Sequence, residues 1–411
     1  MRKVYGLVAI LLLVTVALVG CGGGEPAAPA ATPAEPYKVG VTGAITGPAA
    51  VTAVGKNEGF RIFFADLNDR GGINGHLVNV MIEDDAANPA KAAANMAKFE
   101  QQKVHIVYNN SMSSTYLPTM EGAKRGNFPV VFTTIAPRET LPPTPDPMFY
   151  KAGYTFGPKS TFLILDVIVD AAKAQGVTPK IGFLAAEIPI SALGVELLFK
   201  EAQAMGIDSV MKVVPMATVD MSAVAESFMA DGVNFTYFFG PGGIYIMLVD
   251  SMVKAGWEGT AMDLGVIVPF EQGMKKYKGK SFYRNMIPYL PLADNLPEHQ
   301  AMSAAAKKYG SAYLDSTLIQ GWFDGKLIAE VLRQGGWPVT TDKLVSVMQN
   351  LTFDRRPVMP PVQWTPTDHT GPTYWRQYAW SGDNLEAVGP WYGSNAAGTE
   401  RFTVDTLADI R

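Results

Sequence analysis

The chain has 411 residues, of which 48% are hydrophobic and 18% are charged, and its formal net charge is −4. These values are ordinary for a globular protein with an ample core. The sequence has no basic run or stripe, so nucleic acid is not an expected partner.

The first 20 residues have the order of a secretory signal peptide. Arg2 and Lys3 are basic, the run from Leu7 to Val19 is almost wholly apolar, and small residues follow it. A membrane-spanning helix needs about 20 apolar residues, and this run is shorter. A short transmembrane anchor is the alternative, but the pattern favours a signal peptide at residues 1–20.

The single cysteine, Cys21, comes directly after this segment. The sequence Leu18-Val19-Gly20-Cys21 resembles a bacterial lipobox, in which the cysteine thiol is lipidated. Residues 22–36 are rich in glycine, alanine and proline and too poor in apolar bulk to build a core. This composition is typical of a flexible tether. We therefore expect residues 21–36 to join a lipid anchor to a folded body that begins near Tyr37.

The body alternates strand-like and helix-like segments from its first residue. The strand-like segments of a first series are YKVGVTGAI, LVNVMIEDD, VHIVYNN and PVVFTTI. The helix-like segments between them are NEGFRIFFADLNDRGG, NPAKAAANMAKFEQQ and PTMEGAKRG. Strands that alternate with helices of about 10–15 residues predict βαβ units and a parallel sheet.

A second series of the same kind follows FYKAGYTFGPKS. Its strand-like segments are KIGFLAAE, SVMKVVP, FTYFFGP and TAMDLGVI, and its helix-like segments are TFLILDVIVDAAKAQG, ALGVELLFKEAQAMG, SAVAESFMADG and IYIMLVDSMVKAG. Two such series predict two α/β lobes of similar build. The C-terminal part differs, with helices predicted at PEHQAMSAAAKKYG, GWFDGKLIAEVLRQGG and TDKLVSVMQNL and strands at PVQW and TYWRQYAW.

Four segments, GAITGP, DRGGINGHLV, DDAANPAKA and QGWFDGK, occur in an order that resembles the leucine/isoleucine/valine-binding family of periplasmic receptors. The likeness extends from Tyr37 to about Trp391 and is densest in the first series. It implies a type I periplasmic-binding fold, in which two similar doubly wound α/β lobes are joined by a three-strand hinge. It also implies an extracytoplasmic protein that captures a small solute and delivers it to an ABC transporter.

The resemblance also implies where the chain passes between the lobes. The family's three crossings, carried over, fall near residues 154–157, 286–291 and 355–361, where proline and glycine suit a hinge. Lobe 1 is then predicted at residues 37–155 and 290–356. Lobe 2 is predicted at residues 156–289 and 357–405.

The segment NNSMSST follows a predicted strand and enters a predicted helix. Ligands of open α/β sheets lie outside the carboxyl ends of strands, and a helix N-terminus offers unpaired N–H groups to an anion. Asn110, Ser111 and Ser113 are therefore candidates to hold a carboxylate, and the resemblance implies that this position grips the carboxylate of the ligand. Met112 stands where a relative more often carries a serine. The alternative is a plain helix cap, since Ser and Thr are preferred there.

Thr133 and Thr134 end the next predicted strand. They can offer a backbone carbonyl and a hydroxyl to the same ligand, and the resemblance implies that this loop contacts an α-amino group. The alternative is an ordinary strand end, because β-branched residues favour strands.

The second lobe departs from the pattern of amino-acid binders, which close over the ligand with aromatic residues and an acid. The matching positions here hold Leu193, Gly242 and, offset by one, Asp263. Trp322 stands where relatives often carry a tyrosine, so it either stacks on the ligand or packs in the core of an amphipathic helix. We expect a ligand that joins a carboxylate to a sizeable apolar part: a branched-chain or other apolar amino acid, or a related acid.

The sequence has no motif that supports catalysis. G-x-S-x-G and H-E-x-x-H do not occur, and Gly273 and Gly279 are separated by five residues where a P-loop needs four. The four histidines are scattered and have no metal-ligand spacing. We therefore expect neither enzymatic activity nor a cofactor or metal.

These observations favour a monomeric solute-binding lipoprotein of an ABC importer, anchored to a bacterial membrane and partnered by permease subunits. Its mechanism would be closure of two lobes over one ligand. The alternative is a ligand-sensing domain that signals to a membrane partner, which a tether in place of a spanning helix disfavours. A secreted hydrolase has no nucleophile–base pair to support it.

Overall fold

A computed structural model describes residues 34–47, 50–152, 162–240, 242–265, 268–395 and 399–410. The predicted signal peptide, Cys21, nearly all of the predicted tether and the crossing predicted at 154–157 lie outside the described residues. Residues Glu35–Arg411 form one compact unit. None of the described helices combines the length and the apolar character that crossing a membrane requires.

The strands of the described residues are β1 (Tyr37–Gly43), β2 (Val78–Asp84), β3 (Ile106–Asn110), β4 (Val130–Phe132), β5 (Phe149–Lys151), β6 (Lys180–Ala186), β7 (Asp208–Val214), β8 (Phe235–Phe239), β9 (Thr260–Leu264), β10 (Tyr283–Ile287), β11 (Thr352–Phe353), β12 (Val362–Gln363), β13 (Thr373–Ser381), β14 (Asn384–Ser394) and β15 (Arg401–Val404).

The helices of the described residues are α1 (Ala50–Asp69), α2 (Pro89–Gln102), α3 (Tyr116–Gly126), α4 (Leu163–Gln175), α5 (Pro189–Ala204), α6 (Ser222–Ala230), α7 (Gly242–Lys254), α8 (Phe270–Lys276), α9 (Pro297–Lys308), α10 (Ser316–Gly335) and α11 (Thr341–Met348).

Both sheets have the same order in their parallel part. The first sheet is β2-β1-β3-β4-β5, with every pair parallel. The second contains β7-β6-β8-β9-β10, also parallel, which repeats the order 2-1-3-4-5 of its own strands. In this doubly wound order the connections change direction between the first and third strands of each series, and ligands bind at such a point. The prediction of two similar α/β lobes is confirmed.

The second sheet continues past the predicted strands. β13 pairs antiparallel with β10, and β14 and β15 extend the sheet further. The sequence pattern indicated β13 but missed β14, because its outer half is exposed and lacks clean alternation. It also missed β5, which is three residues long, and the short pair α8 and β10.

Helices cover each sheet in separate groups. α1, α2 and α3 pack around the first sheet, and α9, α10 and α11 join them through contacts of α1 with α9 and α10 and of α10 with α11. α4 to α8 pack on the strands of the second sheet or on each other. The apolar core runs continuously from residues of the first sheet to residues of the second.

Hydrogen bonds fix the two described connections between the sheets. The chain leaves the second sheet after β10 and reaches α9, and Leu290 N–H in this stretch donates to the Val358 carbonyl at 2.8 Å. The Trp364 indole donates to the Lys151 carbonyl at 3.0 Å, and His369 also bonds to the first-sheet side through the Phe149 carbonyl. The chain enters the second sheet at β13. The exact lobe boundaries stay a prediction.

α1 and α10 approach so closely that only glycine fits at the contact. A Cβ atom added to Gly321 would lie 1.9 Å from the carbonyl oxygen of Lys56, and one added to Gly59 would lie 2.2 Å from the carbonyl oxygen of Leu318. These are backbone atoms, which cannot turn away as a side chain can. The two helices are therefore joined by direct backbone packing.

We expect Gly321→Ala to lower the free energy of unfolding by about 1–3 kcal/mol, because overpacking forces the two helices apart. Gly243→Ala is the matched control, since a Cβ there meets no described atom within 4 Å, and alanine is the better helix former. Urea denaturation measures both variants. Equal midpoints for the two would contradict the close contact.

Candidate functional site

The last residues of the parallel strands form one edge of each sheet, which we call the carboxyl edge. In the first sheet this edge contains Gly43, Asp84 and Asn110 at the ends of β1, β2 and β3. The Ala44 N–H donates to the Asn110 carbonyl at 3.3 Å, so the loops after β1 and β3 lie side by side. The predicted residues of the NNSMSST segment are thus at the point where ligands bind in doubly wound folds.

Asp84 holds the loop that follows β1. One carboxylate oxygen accepts the N–H groups of Ile45 at 2.9 Å and Thr46 at 3.1 Å, and the other accepts the Thr46 hydroxyl at 2.5 Å. Partial burial opposes ionisation of Asp84, but the hydrogen bonds from Thr46, Ala86 and Ile45 outweigh it and lower the pKa of the carboxyl. The GAITGP turn is therefore fixed by a charged acceptor.

Asp85 holds the loop that follows β3. Its buried carboxylate accepts the Ser111 hydroxyl at 2.6 Å, the Thr42 hydroxyl at 2.9 Å and the Ala87 N–H at 2.8 Å. The Ser111 N–H is also engaged, by the Asn109 side-chain oxygen at 3.2 Å. Ser111 is thus placed at the predicted site, but its hydroxyl and N–H already donate within the protein.

Asn110 is buried and ties three elements together. Its side-chain amide donates to the Ala53 carbonyl at 2.8 Å and to the Asn57 side chain at 3.0 Å, both on α1. Its oxygen accepts the Thr133 hydroxyl at 3.0 Å. The two predicted residues Asn110 and Thr133 are therefore hydrogen-bonded to each other. Their bonds hold the ends of β3 and β4 against α1.

Ser113 differs from these neighbours. It begins a 3-10 turn, Ser113–Thr115, that leads directly into α3, and it is half-buried. Its hydroxyl has no hydrogen-bond partner in the described part of the chain. Met112 beside it is 37% exposed. The Thr134 hydroxyl, in contrast, is engaged, because it donates to the Ser111 carbonyl at 2.8 Å. Of the predicted polar residues here, Ser113 keeps a side-chain donor available at a helix start.

In the second sheet, two predicted residues follow the carboxyl edge at the equivalent point. Leu193 lies in the first turns of α5, which follows β6, and its side chain is 47% exposed. Gly242 begins α7, which follows β8. Ser191 joins the two strand ends, because it accepts the Ala186 N–H at 3.2 Å and donates to the Phe239 carbonyl. The structure thus brings Leu193 and Gly242 to one region.

Asp263 lies within β9 and is fully buried. One of its oxygens accepts the Tyr283 hydroxyl at 2.5 Å and the Asn285 amide at 3.3 Å. Burial raises the pKa of Asp263 well above its usual range, and the Tyr283 hydrogen bond opposes this only in part. In this setting the carboxyl bonds to two residues of β10, and its burial within the sheet separates it from the carboxyl edge.

Trp322 packs between helices. Its side chain is 3% exposed, its ring meets Phe63 edge-on at 5.3 Å, and its indole donates to Glu298 at 2.7 Å. It lines an outer groove of about 630 Å³ with Phe63, Leu67 and Phe353. Because Phe63 and Leu67 belong to the later turns of α1, this groove lies away from the carboxyl edge. The position matches the core-packing alternative for Trp322.

A buried charge cluster lies next to the predicted site, and the sequence analysis missed it. Lys56, Lys151 and Arg355 surround Asp324, and all four side chains are buried. Burial lowers the pKa of Lys56 to about 8 and that of Arg355 to about 10, and Asp324 opposes both shifts. Their separation along the chain hides the cluster from any local pattern.

The cluster reaches the carboxyl edge through Lys151. The Lys151 ammonium donates to the Thr133 carbonyl at 3.1 Å. The Arg355 guanidinium donates to the Pro360 carbonyl at 2.7 Å, and Asp324 accepts the Tyr108 hydroxyl at 2.9 Å. The first sheet therefore has basic side chains behind the loops that hold Thr133 and Asn110, and burial lowers the pKa of the nearest one, Lys151, well below its usual range. In the described ranges no group of His, Cys, Asp and Glu is arranged as metal ligands.

Comparison with known proteins establishes the family. The model of the periplasmic binding protein family matches residues 36–384. The chain belongs to that family. The Leu/Ile/Val-binding protein of Escherichia coli K12 is 33% identical over 88 residues, which is 21% of this chain and 24% of that protein. The aligned part thus spans about a quarter of this curated relative.

Solved structures match over nearly the whole chain and show the same fold. A fatty acid ABC transporter substrate-binding protein from Thermomonospora curvata has 14% identity and a TM-score of 0.73, covering 90% of this chain and 96% of that one. An ABC transporter solute-binding protein from R. palustris in complex with 4-hydroxybenzoate has 17% identity and a TM-score of 0.70, covering 91% and 98%. The resemblance to the leucine/isoleucine/valine-binding family and the type I fold are confirmed.

We expect Asp263→Asn to raise the melting temperature at pH 7.5 and to change it little at pH 4. The pKa of Asp263 is raised in the folded protein, so its contribution is most favourable below the unfolded value near 4 and is lost as the pH rises toward the folded value. Thermal unfolding at the two pH values measures this. A selective loss of amino-acid binding in Asp263→Asn would instead mean that Asp263 pairs with a ligand ammonium.

Proposed function

We propose that this protein is the solute-binding component of an ABC importer, exported and anchored to a bacterial membrane through lipidated Cys21. It captures one small ligand between its lobes and presents it to permease subunits. The ligand bears a carboxylate and a sizeable apolar part. Family membership and the match to solved substrate-binding proteins support the class, and the residues at the two carboxyl edges support the ligand chemistry.

The observation that carries the ligand class is the environment of Ser113. A hydroxyl with no partner among the described residues stands at the start of a helical turn, where backbone N–H groups favour an anion. Lys56 and Arg355, with pKa values of about 8 and about 10, lie in the buried cluster behind the same edge and favour an anion there. Both features suit a carboxylate better than a neutral or cationic group.

The apolar part of the ligand is inferred from the neighbours of this position. Met112 and Leu193, one from each carboxyl edge, are exposed apolar side chains. With Asp263 fully buried and bonded to Tyr283 and Asn285, the described residues give an ammonium group little support. The named relatives fit this chemistry, since leucine, a fatty acid and 4-hydroxybenzoate each join a carboxylate to an apolar portion.

Calorimetry with leucine, phenylalanine, 4-methylpentanoic acid and 3-phenylpropanoic acid tests the proposal. At least one acid should bind tightly to the wild type, and Ser113→Ala should weaken that binding about 10- to 100-fold, because hydrogen bonds to charged groups contribute about 1.5–3 kcal/mol. The ligand-free melting temperature should barely change.

Ser114→Ala is the control, since the Ser114 hydroxyl is exposed and donates to the Ala87 carbonyl at 2.9 Å. Its affinity for the acids should equal that of the wild type. Tight binding of a neutral sugar with none of the acids bound would contradict the ligand class. A lower melting temperature of Ser113→Ala with intact affinity would make Ser113 a mere cap.

The anchor has a separate test. Cys21→Ser should release the protein from membranes without unfolding it, because stable anchoring requires acyl chains that only the thiol can carry. Fractionation of cells that express each form, with circular dichroism of the released protein, measures both effects. Membrane attachment of the Cys21→Ser variant would mean that another segment anchors the chain.

A further inference from the structure

The N-terminus of α10 lies at the carboxyl edge of the first sheet. Along the α1–α10 contact, Gly55 meets Thr317, Gly59 meets Leu318 and Phe63 meets Gly325. The residue numbers rise together, so the two helices run parallel. Because α1 starts after β1, at the carboxyl edge, α10 also starts there.

Glu271 lies at the carboxyl edge of the second sheet. It is in the first turn of α8, which follows the end of β9. α8 is fixed to this sheet, since Phe270 packs edge-on against Tyr378 at 5.5 Å and the Trp380 indole donates to the Met274 carbonyl at 2.9 Å. Glu271 therefore moves with the second sheet and α10 with the first.

The two edges meet through one carboxylate. Glu271 accepts the Ser316 N–H at 2.9 Å and also the Ser316 hydroxyl, through the same oxygen. The Asp315 carboxylate accepts the next N–H of the helix, that of Thr317, at 3.0 Å. The first turn of α10 is thus capped by one acid of its own and by one acid from the other sheet, and a negative charge is favourable at this end of a helix.

The contact is buried and sensitive to its surroundings. Ser316 is fully buried, and the second oxygen of Glu271 is buried with no hydrogen-bond partner in the described residues. Burial raises the pKa of Glu271, while the Ser316 hydroxyl opposes the shift and the nearby Asp315 adds to it. A carboxylate in this setting is stable only while the Ser316 donors remain in place. Separating the sheets at this edge would expose both partners to water.

We propose that Glu271 is a positioning residue for ligand capture: its contact with Ser316 clasps the two carboxyl edges together and slows the release of a bound ligand. This inference rests on the proposed function, because it assigns how the same cleft is kept closed. Bonds that exist only in the closed arrangement shift the population toward it and reduce the dissociation rate. The clasp touches no predicted ligand-binding residue, so it acts on every ligand alike.

The first test measures opening without any ligand. In the Cys21→Ser background, spin labels at Leu117→Cys on α3 and Val219→Cys after β7, both strongly exposed positions, report the distance between the lobes. Glu271→Ala should shift the distances to longer values, and Glu271→Gln, which keeps an acceptor but loses the charge, should give an intermediate shift. Glu226→Ala, an exposed glutamate of α6, is the matched control and should leave the distances unchanged.

The second test measures kinetics with the tightest-binding acid of the four named above. Stopped-flow binding should show dissociation about tenfold faster in Glu271→Ala, with the association rate nearly unchanged. A lower melting temperature with wild-type distances and wild-type dissociation would overturn the proposal and leave Glu271 as a structural cap. If the wild type binds none of the acids, the proposed ligand class is wrong. The label distances still test whether Glu271 holds the two edges together, because they are measured without ligand.

Discussion

The close parallel contact of α1 and α10 is the constraint on which the rest of the arrangement depends. Gly59 and Gly321 let the two backbones touch, and Gly55 makes room for the Thr317 side chain. This contact places a C-terminal helix against the helices of the first sheet. It fixes the start of α10 at the carboxyl edge, beside the loops after β1 and β3. Larger side chains at these glycines would displace the start of α10. The contact between Glu271 and Ser316 would then be lost.

Four buried or half-buried aspartates show how one residue type takes different roles in different surroundings. Asp84 accepts three N–H groups and a hydroxyl, so it stays charged and pins a loop. Asp263 has a tyrosine and an asparagine as partners, and burial raises its pKa well above the usual range. Asp324 lies among three basic side chains, and Asp85 fixes Ser111. Hydrogen-bond partners and burial decide the role of each aspartate, not the sequence motif that contains it.

The proposed capture mechanism joins these features. The first sheet offers a donor at Ser113 and basic side chains behind it, and the second sheet offers apolar surface at Leu193. A ligand held between them would contact both carboxyl edges, and the clasp of Glu271 on Ser316 would hold the same edges together. Ligand contacts and the clasp then both favour the closed arrangement of the two edges, so each strengthens the effect of the other.

The sequence by itself determined the class of fold, because alternating strand and helix patterns depend on local periodicity that can be read along the chain. It also located the loops after β3 and β4, since strand ends and helix starts have local signals. It did not reveal that Asn110 and Ser111 are saturated by Asn57 and Asp85, that Trp322 packs against Phe63, or that α8 and β10 exist as short elements. Nor did it show Lys56, Lys151, Asp324 and Arg355 as one cluster, or Glu271 against Ser316. Only the tertiary structure decided these points, because they depend on contacts between residues far apart in the chain and on burial, which sets the charge of each group.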